Sequence, residues 1–90
     1  MRATETNDDA ATLALRSLAW LMADEDRAGR FLALTGTDPQ AIRASIGDPA
    51  FLAAVLAHLE AHEPDLVACA DALEIPAERL GAARHMLEHS

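Results

Sequence analysis

Lysine is missing from this sequence, and its seven basic residues are all arginine. That absence excludes a polybasic stretch of the kind that binds anionic lipid or directs nuclear import. Fifteen aspartates and glutamates outweigh the arginines and set a formal net charge of −8. A phosphate backbone repels such a chain unless its few arginines gather on one face. Cysteine occurs once, at Cys69, so no internal disulfide can form and a reducing compartment, the cytoplasm, is expected. Charges interrupt every apolar run before the roughly 18 residues that a spanning helix needs. The start, Met1-Arg2-Ala3-Thr4-Glu5, lacks the apolar centre of a signal peptide. Aromatic residues make up only 3% of the chain, and the β-branched aliphatic residues are Ile42, Ile46, Val55, Val67 and Ile75, a poor supply for strands. Neither Asn-Gly nor Asp-Gly occurs and no segment alternates apolar with polar residues, so no sheet is expected.

Alanine is what the chain has in excess, at twenty-one residues, with leucine dominating the bulky apolar set; both favour helix. Ninety residues suffice for one small core and are too few for two. All four prolines read as first-turn helix residues, where a missing N–H costs nothing. In Thr37-Asp38-Pro39 and Gly47-Asp48-Pro49 an aspartate stands in front of the proline, placed to accept hydrogen bonds from the free amides of a new helix. Glu63-Pro64 and Ile75-Pro76 mark two further starts, less well capped. Gly36 and Gly47 follow apolar segments at places where a left-handed residue would end a helix. These marks predict helices over 8–23, 25–35, 39–46, 49–62, 64–73 and 76–88, a disordered start over 1–7, and one domain over 8–90. Short helices joined by tight turns cross steeply around a common centre. The expected fold class is therefore all-α, a compact orthogonal bundle of five to six short helices.

Phe51, Leu52, Val55, Leu56 and Leu59 recur at three- and four-residue steps and mark the fourth segment as the central helix. The same spacing enlists Leu15, Leu18 and Met22 on the first helix, Phe31 and Leu32 on the second, and Ile42 and Ile46 on the third. Leu66, Val67 and Leu73 do so on the fifth, Leu80 and Leu87 on the last. The first helix carries a second apolar face. At roughly 100° per residue, Ala14, Leu15, Leu18 and Met22 share one stripe while Leu13 and Trp20 fall nearly opposite. Either the bundle wraps this helix from both sides, or Leu13 and Trp20 form an exposed patch that meets a partner, a role in which tryptophan is enriched.

The runs Ala19-Trp20-Leu21, Asp24-Glu25-Asp26, Gly29-Arg30-Phe31-Leu32-Ala33-Leu34-Thr35-Gly36 and Asp48-Pro49-Ala50-Phe51-Leu52-Ala53-Ala54-Val55-Leu56 resemble a bacterial family catalogued as domain of unknown function 3572. The resemblance extends over roughly residues 13–87 and implies a small all-helical bacterial protein. It implies no activity, cofactor or catalytic residue.

Candidate chemistry is sparse. His58 and His62 lie one helical turn apart, as do His85 and His89, and either pair could reach one metal ion. The first pair lacks the His-Glu-x-x-His arrangement in which a glutamate acts as base, and no third ligand is placed by spacing, so no metal or other cofactor is expected. Cys69 sits in an alanine-rich apolar helix where a thiol is inert. The acidic run Asp24-Glu25-Asp26 reads as helix capping, with Arg27 and Arg30 close behind. Phosphate loops, nucleophile elbows and dinucleotide fingerprints are absent, and an enzyme is not expected. Ala70-Asp71-Ala72-Leu73-Glu74-Ile75-Pro76-Ala77-Glu78-Arg79-Leu80 has the spacing of a helix-turn-helix corner and would present Arg79, Arg84 and His85 to DNA. Glu78 and Glu88 lie among those residues, and the same corner serves any tight helical turn. The leading expectation is a non-catalytic protein-interaction or regulatory domain of the adaptor type, with another protein or a second copy as partner. DNA binding through the corner is the alternative; neither nucleic acid nor membrane is the expected partner.

Overall fold

Aspartates and prolines place the helix starts. In the computed structural model, which describes residues 7–89, the carboxylates of Asp24, Asp38 and Asp48 accept from the amides of Arg27, Ala41 and Ala50 at 3.0, 2.8 and 3.0 Å. Each bond satisfies a donor that the first helical turn leaves free. The helices so delimited are α1 (Asn7–Met22), α2 (Glu25–Thr35), α3 (Pro39–Ser45), α4 (Pro49–Glu60), α5 (Glu63–Leu73) and α6 (Ala77–Glu88). No strand occurs among the described residues, and the fold is an all-α bundle. The start over 1–7 read from sequence as disordered lies outside the described residues, except that Asn7 opens α1.

Only α2 has the bounds read from sequence at both ends; the other five helices differ by one or two residues. Gly36 ends α2 at φ 68°, the left-handed conformation expected of it, and its amide donates to the Leu32 carbonyl at 2.9 Å. Gly47 takes no such conformation, since α3 closes on Ile46 in right-handed geometry. Among the described residues the other left-handed one is Glu74, φ 60°, at the end of α5. There the Ile75 amide reaches back to the Ala70 carbonyl and the Glu74 amide to Asp71, a Schellman closure made without glycine. Pro76 caps α6 from outside the helix and does not occupy its first turn.

α4 is the hub: Leu52, Val55, Leu56 and Leu59 are buried together with Ala53 and His58. It packs most extensively on α6, and α1 packs on both. Glu60, at the end of α4, pairs with Arg84, while Asp48 and Pro49, at its start, share a groove with Leu87 and Glu88, so α4 and α6 run antiparallel. On α1 the buried stripe is Ala10, Leu13, Ala14, Ser17, Leu18 and Leu21. This corrects the stripe read from sequence. Leu13 is a core residue, 5% exposed, and Leu15 faces solvent. Ser17 can sit fully buried because its hydroxyl donates to the Leu13 carbonyl at 2.8 Å, which satisfies its polarity within the helix. The same substitution of small for large residues rotates α5, where Cys69 and Ala70 are buried with Leu73 and Val67 is left exposed. Ile42 anchors α3, whereas Ile46, expected beside it in the core, is exposed.

Candidate functional site

α2 and α3, consecutive in the chain and together termed the arm, pack less extensively on the rest of the fold than α1, α4 and α6 do on one another. α2 packs chiefly on α1, and α3 has no extensive contact with any helix. Phe31, one of the largest fully buried side chains, secures the arm to the bundle. Its ring meets the His58 imidazole edge to face, at 5.0 Å between centroids and 81° between planes. Arg30 on α2 pairs with Asp65 on α5. Arg27 lies over the Trp20 ring, its guanidinium carbon 3.7 Å from the centroid, and donates to the Trp20 carbonyl at 3.3 Å.

This seat is not fully satisfied. Two buried side-chain polar atoms among the described residues have no hydrogen-bond partner, and they are Arg27 Nε and His58 Nε2. One lies on the α1 side of α2 and the other under Phe31 on α4. A buried polar group left unpaired destabilises by about 1–3 kcal/mol. The seat therefore combines strong apolar anchors with two opposing penalties that water would relieve if the arm lifted. Burial, followed by the His62 ring 4.7 Å away, holds the pKa of His58 below the ordinary imidazole value. Leu34 near the end of α2, 61% exposed, and Ile46 at the end of α3, 43% exposed, are large apolar side chains that the arm leaves in solvent.

The residues singled out from sequence fall into separate places. His58 and His62 do come together, but their rings stack and His62 Nδ1 lies 3.0 Å from the His58 carbonyl oxygen. His85 and His89 repeat the arrangement at 4.3 Å between rings. No group of three or more His, Cys, Asp or Glu side chains able to hold a metal occurs among the described residues. Leu13 and Trp20 part company: Leu13 is core, and Trp20 is half-buried at the rim of the arm's seat. Cys69 is fully buried, and burial pushes its thiol pKa up. Of the side chains proposed to read DNA, Arg84 is held by Glu60 and Glu88, and His85 is stacked on His89, while Arg79 is exposed on α6. From sequence Arg27 reads only as a neighbour of the acidic cap, and neither its place over Trp20 nor the burial of His58 is legible. Arg27 belongs to a helix separate from Trp20, and no spacing rule joins them across the turn.

An open groove of about 460 Å³ runs between α4 and α6, floored by Ala50, Ala53, Ala54 and Ala57 and flanked by Leu87. Both carboxylates on its rim have other work, Asp48 capping α4 and Glu88 pairing with Arg84. No described helix is long and apolar enough to cross a membrane.

Among the described residues, six helices around an alanine- and leucine-rich core define a small all-α domain. The chain belongs to the DUF3572 family of proteins of unknown function, whose model matches residues 7–90. No curated protein matches the chain, and no solved structure matches it.

Proposed function

We propose that this domain is a non-catalytic protein-interaction module of the regulatory or adaptor kind, and that the α2–α3 arm is the part that meets the partner. The observation that carries this reading is the pair of unsatisfied buried atoms, Arg27 Nε and His58 Nε2, both along the arm's seat. An arm docked with such penalties gives up less than a fully satisfied one when it exchanges its own seat for a partner's surface. Leu34 and Ile46 supply apolar contact on its outer side, and Trp20 and Phe31 would be uncovered beneath it. The net charge of −8 favours a neutral or basic protein over a second copy of this chain.

Affinity capture from a cognate lysate with three baits tests the reading: wild type, the double variant Leu34→Glu/Ile46→Glu, and Ala54→Glu in the α4–α6 groove. A partner retained by wild type and Ala54→Glu and lost with the double variant supports it. A partner lost only with Ala54→Glu moves the contact to the groove. Arg79-dependent shifting of duplex DNA near 50 mM salt would replace the reading with the alternative of DNA binding through α6.

A further inference from the structure

We propose that His58 is a proton-sensitive latch, whose protonation releases the α2–α3 arm from the bundle while α1, α4 and α6 stay folded. The proposal gives a regulation to the arm that the functional reading above takes as the contact element. Its physical basis lies in the arm's own docking and needs no partner.

The geometry is specific to the arm. His58 is 8% exposed and stands on the central helix, so its backbone is fixed. Its ring packs against the edge of Phe31, the one fully buried large side chain of α2. Protonation makes both ring nitrogens donors, and Nε2 is buried with no acceptor. The groups facing it are Phe31 and Arg30 from α2, His62 at the start of α5, and Asp65 on α5. Arg30 and His62 both oppose a positive charge there. Asp65 favours one, but its carboxylate is already paired with Arg30. A charged imidazolium in this place gains by hydration, and the way to water is to lift Phe31 away. α4 cannot move instead, because Leu52, Val55, Leu56 and Leu59 hold it in the core. Besides Phe31, α2 and α3 are held by the Arg30–Asp65 pair, the Arg27–Trp20 contact and Ile42, and they pack far less on the bundle than α1, α4 and α6 do on one another, so the opening stays local. Lifting α2 also withdraws Arg27 from Trp20, the sole tryptophan, which makes its emission a reporter of the event.

The test uses the purified chain alone, by residue-resolved amide exchange between pH 7.5 and 5.0 with rates corrected for intrinsic chemistry. Opening of α2 and α3 should increase as pH falls below about 6.5. It should rise by up to about tenfold for each unit by which the docked His58 pKa lies below that value. Amides in the middles of α1, α4 and α6 should change far less, and Trp20 emission should shift red over the same range. His58→Gln should abolish the dependence, and His62→Gln, which removes an opposing charge, should move the transition to higher pH. In the wild type, the ring resonance of His58 and the α2 amides should titrate with a common midpoint, a readout that needs no variant to fold. Equal loss of protection in all six helices would overturn the latch, as would a pH-independent arm or an unchanged dependence in His58→Gln. None of these outcomes bears on whether the arm binds a partner, which the capture experiment decides separately.

Discussion

The edge of the Phe31 ring rests on the His58 imidazole at 5.0 Å, and this contact joins the most buried side chain of α2 to the central helix. Its consequence for stability has a definite sign. The folded pKa of His58 lies below 6.5, first because burial removes water from the charged form and then because His62 is close. Between that lowered value and 6.5 the unfolded chain binds more protons than the folded one, so stability rises with pH across this window. The contribution of neutral His58 is complete above about pH 6.5 and is lost as pH falls to the folded value. Urea unfolding at pH 8, 7, 6 and 5.5 should show this decline in wild type and a shallower one in His58→Gln. Parallel curves would refute the assignment.

Glu74 holds a left-handed backbone at φ 60° to close α5, where a side chain brings strain that glycine avoids. Glu74→Gly should stabilise the domain by about 1 kcal/mol, a rise in Tm of about 4–8 °C. A thermal melt measures it, and a lower Tm would show that the Glu74 side chain outweighs the strain.

The caps at Asp38 and Asp48 have similar bonds but different neighbours. Asp48→Ala weakens the start of the central helix and should lower global stability by about 0.5–2 kcal/mol. Asp38→Ala weakens α3, which is only lightly packed, and should raise amide exchange in α3 with a smaller effect on the melt. Equal effects of both on global unfolding would contradict the separation of arm and bundle.

The inward face of α1 is open to a simple comparison. Leu13→Ala should cost about 2–5 kcal/mol because the side chain is 5% exposed. Leu15→Ala, at a site 38% exposed, should cost under about 1 kcal/mol. Denaturant midpoints of the two variants decide it; the reverse order would restore the stripe read from spacing alone.

Punctuation was the legible part of this sequence. An aspartate before a proline announces a helix start through a local hydrogen bond, and Asp38 and Asp48 cap as their positions require. The large leucines of α4 announced the hub by the same local logic. Which way α1 and α5 face was not legible, because Ala10, Ala14, Ser17, Cys69 and Ala70 occupy core positions that a search for bulky residues passes over. In a chain with twenty-one alanines, close helix approach and not side-chain size decides what is inside. The seat of the arm was the least legible feature. Trp20 with Arg27, and Phe31 with His58, are meetings between separate helices, fixed by tertiary packing that no periodicity encodes. The spacing of His58 and His62 puts the two rings within reach of each other, but that the first is buried is not legible from it.

The central claim, that the α2–α3 arm is the surface meeting a partner, is tested most directly by amide exchange of the wild-type chain with and without its captured partner. The expected result is protection gained in α2 and α3 and around Trp20, with α4 and α6 unchanged along their shared groove. Protection confined to that groove or to the outer face of α6, with the arm's exchange unaltered, would contradict it.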